Sequence, residues 1–173
     1  MQDPRTVQRL RKGDGNVLKR LFKTHFGDLY PMAFRLTHTE EAAGEVIRAA
    51  FTTLWNQRDT LDPFEPLSQI LTKYVYEAAN AYRHANGLVG IASVDAESDP
   101  DPSVARCLDR LDERQRLVYM LCVVDGYSFK NLARAFDTTK VAVQEEVGEV
   151  LIALDTILQE EEQSLDTPTP ALL

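Results

Sequence analysis

The stretch Asp125–Leu154, DGYSFKNLARAFDTTKVAVQEEVGEVLIAL, has the layout of a helix-turn-helix motif. Ser128 is a suitable N-cap for a short helix with the sequence FKNLARAF. A turn follows at Asp137-Thr138-Thr139, and a longer second helix begins near Lys140. The pattern therefore predicts a short helix, a tight turn and a long helix in the C-terminal half of the chain.

The second helix of this motif has the wrong charge for the usual contact with DNA. Apart from Lys140 at its start, the positions predicted to face outward are Gln144, Glu145, Glu146, Gly148 and Glu149. Carboxylates repel a phosphate backbone, and each lost Lys or Arg contact removes a contribution from counterion release. We therefore expect that this altered reading helix does not read DNA in the ordinary way.

Apolar residues recur at three- and four-residue spacing along most of the chain, which is typical of amphipathic helices. Gly27-Asp28 is expected to interrupt the first stripe, and Asp28 to cap a new helix with Pro31 in its first turn. The string Thr37-His38-Thr39-Glu40 resembles a capping box that opens the next helix. Further helices are predicted over 67–85, 104–111 and 113–124. In the last helix the predicted inward stripe is Val143, Val147, Val150, Leu151, Leu154 and Leu158.

The helical pattern is lost between the two halves of the chain, where the sequence mixes Gly, Ser, Pro and acidic residues. We predict an all-α fold of two small helical domains joined by a flexible linker, with the helix-turn-helix in the second. The predicted boundaries are 1–86 for the first domain, 87–103 for the linker, 104–162 for the second domain and 163–173 for a disordered tail.

The net charge of −8 is unevenly distributed. Residues 1–88 contain 12 Lys and Arg against 10 Asp and Glu, whereas residues 104–173 contain 7 against 13. Only the first half could favour an anionic partner. The sequence leaves open whether its basic residues form a solvated helix face or an electrostatic contact; they are Arg5, Arg9, Arg11, Lys12, Lys19, Arg20 and Lys23.

Several classes of function lack their sequence signals. The three histidines share no metal-ligand spacing, and Cys107 and Cys122 are interpreted as reduced core thiols. A phosphate-binding loop and a paired nucleophile and base are both missing from the sequence. The N-terminus is too polar for a signal peptide, and no apolar run reaches the length of a membrane span. We expect a soluble cytoplasmic protein that is not an enzyme and takes no cofactor, metal or small-molecule substrate.

Four strings, taken in order, resemble the extracytoplasmic-function sigma factors, the smallest bacterial transcription initiation factors. LRKGDGNVLKRLFKTHFGDLYPMAFRLT resembles the family's first segment, and EEAAGEVIRAAFTTLW resembles the helix that docks on the RNA polymerase clamp. ILTKYVYEAANAYRH resembles the helix that melts and reads the upstream promoter element. LDRLDERQRLVYMLCVVDGYSFKNLARAF resembles the start of the family's second domain.

The resemblance implies two sets of binding residues and two partners. The residues implied to bind the core polymerase are Glu45, Arg48, Phe51 and Trp55. Those implied to contact promoter DNA in the first domain are Lys73, Tyr74, Tyr76, Asn80 and Arg83. An anti-sigma factor is a further implied partner.

The chain departs from the family pattern at several positions. Arg48 and Ala49 stand where the clamp helix usually has a Gln-Glu pair, and Tyr76 and Asn80 stand where an Asn and an Asp are expected. In the second domain Asp112 replaces a Pro, and Asp137 replaces the Gly of the turn. The reading-helix string Thr-Val-Lys-Ser-Arg is replaced by residues 142–146, AVQEE. The departures include the positions that the resemblance places against nucleic acid, while the apolar core positions are retained.

Three hypotheses remain open at the level of sequence. The chain could be a divergent sigma factor that binds core polymerase and has lost or altered promoter reading by its second domain. It could instead be a sigma mimic that captures an anti-sigma factor through protein contacts and does not bind DNA. The third hypothesis is an assembly role, in which the apolar side of the last helix supports dimerisation.

Overall fold

The computed structural model describes residues 4–92 and 102–165. In these ranges the chain forms helices and turns and contains no strand, which confirms the all-α prediction. The helices are α1 (Pro4–Arg11), α2 (Gly15–Thr37), α3 (Glu40–Asn56), α4 (Leu67–Asn86), α5 (Pro102–Asp109), α6 (Glu113–Tyr119), α7 (Phe129–Ala135) and α8 (Lys140–Leu165). We refer to α1–α4 as the N-terminal unit and to α5–α8 as the C-terminal unit.

Side-chain caps set most of the helix starts. The carboxylate of Asp14 accepts a hydrogen bond from the backbone of Asn16 at the start of α2. Asp112, which stands where the resembled family has Pro, forms a reciprocal capping box with Gln115 at the start of α6. Ser128 caps α7 as predicted. Each cap satisfies a backbone N–H that has no partner within its helix.

The predicted break at Gly27-Asp28 is wrong, because α2 runs without interruption from Gly15 to Thr37. Its second half stays helical because Leu29 and Met32 are buried in the same core as the first half. Pro31 therefore lies inside a helix and cannot donate to the carbonyl of Gly27.

The predicted capping box at 37–40 is also corrected by the structure. Thr37 belongs to the last turn of α2, and its hydroxyl donates to the carbonyl of Ala33 over 2.8 Å. The residue that caps α3 is Thr39, whose hydroxyl oxygen accepts a hydrogen bond from the backbone of Ala42.

The predicted helix over 113–124 changes its winding after Tyr119. A π-helical turn follows at Met120–Val124, and it closes with a hydrogen bond of 2.9 Å from the backbone N–H of Asp125 to the carbonyl of Met120. Such turns shift the register of a helix and are frequent at functional sites. Here the turn leaves Val123 and Val124 exposed and delivers Asp125 to the N-terminal unit.

The two units share a hydrophobic core. Helix α4 packs against α2, α3 and α7, so that it lies in the middle of the molecule. Val75 and Ala79 of α4 belong to the same buried cluster as Leu132 and Ala133 of α7. A smaller second cluster joins α5, the π-helical turn and α8, and Cys107 is buried in it. Helices of both units therefore contribute to one buried cluster in this structure.

Helix α8 follows the predicted inward stripe with one exception. Val143, Val147, Val150 and Leu154 are buried inside the chain, whereas Leu151 is exposed. Because the stripe packs against the chain's own helices, that face is not available to a second copy. The predicted tail overlaps α8 at 163–165, and residues 166–173 lie outside the described part of the chain.

The described part of the predicted linker is packed against the N-terminal unit. Ile91 is buried, and the backbone N–H of Ala92 donates to the carbonyl of Arg35 over 2.8 Å. The predicted flexible stretch at 93–101 lies outside the described residues. Among the helices that the structure describes, none has the length and apolar character needed to cross a membrane.

Candidate nucleic-acid and protein interfaces

The predicted polymerase-binding residues of α3 divide into exposed and buried members. Glu45 and Arg48 are exposed. Phe51 is buried in the core against Phe22, with 5.1 Å between the ring centroids. Trp55 is half-buried, and the guanidinium of Arg58 lies over its ring. A protein that docks on α3 would therefore meet Glu45 and Arg48 directly, while Phe51 supports the helix from within.

The predicted DNA-binding residues all lie on α4, but the C-terminal unit approaches several of them. Tyr76 packs edge-on against Phe136, with ring centroids 4.9 Å apart, and Arg83 forms an ion pair with Glu113. Tyr74 donates a hydrogen bond to Gln57, and Lys73 pairs with Glu77 on its own helix. Asn80 is half-buried. Two of the five residues implied to hold promoter DNA, Tyr76 and Arg83, are thus engaged by the C-terminal unit.

A buried ion pair joins the two units at the end of the π-helical turn. The guanidinium of Arg35 donates two hydrogen bonds to Asp125, from Nε to Oδ2 over 2.5 Å and from Nη2 to Oδ1 over 2.8 Å. The two side chains are 11% and 8% exposed. Beside them the hydroxyl of Tyr127 donates to the backbone carbonyl of Asp28, next to the carbonyl that Pro31 leaves unbonded in α2. We call this set of contacts the latch.

Two more ion pairs flank the latch on the surface of α4. Arg134 of α7 reaches Glu65 in the turn before α4, with Nε 2.5 Å from Oε1. Arg83 pairs with Glu113 at the start of α6, and the same carboxylate accepts a hydrogen bond of 3.0 Å from the backbone N–H of Gly90. Both pairs are partly exposed, so each contributes modestly to stability, but they help to fix the register in which the units meet.

Glu146 belongs to a chain of contacts between the units, which corrects its predicted outward orientation. Its carboxylate accepts two hydrogen bonds from Arg114, over 2.6 and 3.0 Å. The guanidinium of Arg114 lies 3.8 Å from the ring centroid of Phe136, and Phe136 in turn packs against Tyr76. The chain Glu146–Arg114–Phe136–Tyr76 thus connects α8 to the predicted promoter-contacting helix. We call it the inter-unit bridge.

The remaining residues of the altered reading helix face solvent as predicted. Lys140, Gln144, Glu145 and Glu149 are exposed. The turn before α8 places Asp137 in the left-handed region, at φ 53°, where the resembled family has Gly. The helix-turn-helix geometry is therefore kept although the charge of its outer surface is reversed.

Several groups at the joint have displaced pKa values. The hydrogen bond from Arg83 lowers the pKa of Glu113, and this outweighs the opposing effect of burial. Burial raises the pKa of Tyr127. Burial, with the charge of Glu146 as a smaller cause, raises the pKa of Cys122 to about 11. The carboxylate of Glu113 is thus stabilised in its charged form, and the thiol of Cys122 in its neutral form.

Sequence reasoning did not single out most of the residues that form the latch and the inter-unit bridge. Arg35 stands inside an otherwise apolar stripe, between Phe34 and Leu36, and that position was the available signal that it has a buried partner. The roles of Asp125, Arg114 and Phe136 depend on contacts across the two units. No local pattern could have predicted them.

Part of the chain matches a known family model. Residues 103–147 match the family model described as Sigma-70, region 4. This part of the chain is similar to region 4 of the sigma-70 factors. The match covers α5 to the first part of α8, which includes the fourth of the four strings. Together with the solved structures described next, it confirms the predicted resemblance.

Solved structures share the fold of most of the chain. One is CnrH in complex with the cytosolic domain of CnrY, at 20% identity and a TM-score of 0.66, covering 92% of this chain and 99% of that chain. Another is the sigma factor RpoE in complex with the anti-sigma factor NepR from Bartonella quintana, at 15% identity and a TM-score of 0.60. It covers 82% of this chain and 96% of that chain. No curated protein has a significantly matching sequence.

Proposed function

We propose that this chain is a sigma-factor-like regulator of bacterial transcription initiation that binds core RNA polymerase through the exposed side of α3. The observation that carries the proposal is the region 4 segment, joined to an N-terminal unit in a fold that matches solved sigma-factor structures over nearly the whole chain. In this proposal the region 4 helix-turn-helix has lost or altered its promoter reading. The exposed carboxylates of Glu145 and Glu149 support that part.

The contacts that the C-terminal unit makes with Tyr76 and Arg83 of α4 add a requirement to the proposal. Tyr76 and Arg83 cannot contact DNA while they are engaged by Phe136 and Glu113. A productive complex with a promoter therefore needs the two units to separate. We expect polymerase to favour the separated form, because a ligand shifts an equilibrium toward the state that it binds better.

The polymerase contact can be tested by fluorescence anisotropy with labelled full-length chain and purified core enzyme. Charge reversal at both exposed α3 positions, Glu45→Lys with Arg48→Glu, is expected to weaken binding at least tenfold. A control for local position is Asp59→Lys, which adds two positive charges at an exposed residue in the 58–60 turn of the same unit, whereas the α3 variant leaves the net charge unchanged. The proposal fails if native chain does not bind core enzyme, or if the control weakens binding as much as the α3 variant.

The altered promoter reading has a separate test. Replacing Glu145 and Glu149 by Lys is expected to raise affinity for duplex DNA and to steepen its salt dependence by about one to two units of log–log slope. The control, Glu40→Lys with Glu41→Lys, makes the same change in net charge on exposed positions of α3. Equal gains in both proteins would show that only net charge matters, and α8 would then have no special position toward DNA.

A second candidate function is capture of an anti-sigma factor without binding to DNA. The observation that favours it is the closed arrangement of the units together with the acidic outer side of α8. In addition, the structure of RpoE in the comparison contains an anti-sigma factor. The two functions differ in one measurement. Sigma activity requires that core enzyme plus this chain protects promoter DNA from nuclease, whereas a mimic binds a purified anti-sigma factor and gives no protection.

A further inference from the structure

The outer side of α8 combines exposed apolar residues with a glycine and flanking acids. Val141 is 59% exposed, Leu151 47% and Ile152 70%. At 100° per residue, Val141, Gly148 and Ile152 fall close to one line, directly opposite the buried stripe of the same helix. This line runs for roughly 16 Å along the helix. We call it the outer line of α8.

No contact within the described part of the chain accounts for Gly148. Gly is less favourable than Ala in the interior of a helix, and a Cβ added at this position would meet no atom within 4 Å. The glycine is therefore not required for packing inside the protein. A missing side chain between two exposed β-branched residues instead allows the backbone of another element to approach closely.

The charges beside the outer line determine which partner fits. Glu145 and Glu149 flank it on one side and Asp155 on the other, and all three are exposed. Lys140, at the first turn, is the one basic residue in the sequence of α8. A second copy of this helix would place acid against acid, and a phosphate backbone would meet both the carboxylates and the apolar residues. A basic surface is complementary to the charges and, if it is amphipathic, to the apolar line.

We propose that the outer line of α8 is a docking surface for a basic amphipathic helix of a partner protein, which packs against Gly148 with its apolar side and pairs its flanking Lys or Arg with Glu145 and Glu149. A straight apolar line with a glycine at its middle fits helix-on-helix packing, in which small residues allow short distances between the axes. The proposal is independent of polymerase binding through α3, so either can fail alone.

The test uses a synthetic helical peptide of roughly 18 residues, about 27 Å long. Leu and Ala occupy one of its faces and Lys both flanks, and a matched peptide has Glu in place of Lys. Binding to the full-length protein is measured by anisotropy at two salt concentrations. We expect the Lys peptide to bind in the micromolar range, to weaken as salt rises, and to bind at least tenfold more tightly than the Glu peptide.

Variants of the protein locate the contact. Gly148→Gln is expected to lower affinity for the Lys peptide at least tenfold, while the melting temperature stays the same or rises by about 2–4 °C. Because the variant does not destabilise the fold, lost binding cannot be attributed to unfolding. Val89→Gln is the control, since Val89 is also exposed and apolar but lies after α4.

Three results would overturn the proposal. The first is equal affinity of the Lys peptide for native chain and for Gly148→Gln. The second is equal binding of the Glu and Lys peptides. The third is sedimentation that shows a native dimer and a monomeric Gly148→Gln protein, because the occupant of the outer line would then be a second copy of the chain.

Discussion

Replacing Asp125 by Asn should open the joint between the two units. The change leaves the guanidinium of Arg35 largely buried without a counter-charge, since the two side chains are 11% and 8% exposed. Removing one partner of a buried ion pair costs about 3–5 kcal/mol. The amide oxygen of Asn still accepts a hydrogen bond, so we take the lower value of about 3 kcal/mol. Since about 1.4 kcal/mol corresponds to a factor of ten, this loss shifts the equilibrium between the closed and open forms more than a hundredfold.

Small-angle X-ray scattering measures this shift directly. A compact chain of 173 residues has a radius of gyration of about 16 Å. The native protein should be close to that value, and Asp125→Asn should exceed it by several ångströms. Circular dichroism should show the same helix content in both proteins, because the latch joins helices that form in either state.

The double variant Arg35→Met with Asp125→Leu provides the control. Apolar replacement of both members of a buried pair is often neutral or stabilising, so the double variant should be as compact as the native protein. The reasoning is refuted if Asp125→Asn scatters like the native chain. It is also refuted if the double variant is as extended as the single one, since the loss would then not come from an unpaired buried charge.

Three other predictions concern single residues. Asp137→Gly should raise the free energy of unfolding in urea by about 0.5–1 kcal/mol, because Asp137 adopts φ 53° and Gly reaches that region without strain. The contribution of Glu113 to closure should be fully present above its ordinary pKa of 4.5 and should be lost as the pH falls through its lowered folded-state pKa. The radius of gyration of the native protein should therefore rise at acid pH, and the part of this rise that comes from Glu113 should be missing in Glu113→Gln. Cys122, studied in a Cys107→Ala background, should react slowly with iodoacetamide at pH 8, and Glu146→Gln should speed the reaction by removing one cause of the raised thiol pKa.

The fold was predictable from the sequence where local chemistry determines it. Ser128 and the turn at Asp137 gave the helix-turn-helix, and the apolar stripe at 67–85 gave α4 to within one residue of its observed end. The pattern failed at Gly27-Asp28, where turn-forming residues suggested a break. Burial of Leu29 and Met32 in the shared core outweighs that local preference.

The orientation of the candidate interface residues was less predictable, because it depends on contacts between helices that are distant in the sequence. A helical wheel places Glu145, Glu146 and Glu149 together on the polar side of α8. The structure separates them, since Glu146 turns toward Arg114 while the other two face solvent. Whether a carboxylate on a polar face is solvated or paired depends on what the neighbouring helix presents, and Arg114 lies 32 residues earlier in the chain.

Two of the positions that depart from the sigma-factor pattern, Tyr76 and Glu146, also take part in the contacts that join the units. Tyr76 stands where an Asn is expected and packs against Phe136, and Glu146 stands where an Arg is expected and binds Arg114. An Asn at 76 would lose the aromatic contact, and an Arg at 146 would repel Arg114. Residues suited to nucleic acid at these two positions would therefore weaken the inter-unit bridge. The resemblance implies a nucleic-acid contact at both positions, whereas in this structure both side chains form contacts that favour closure of the units.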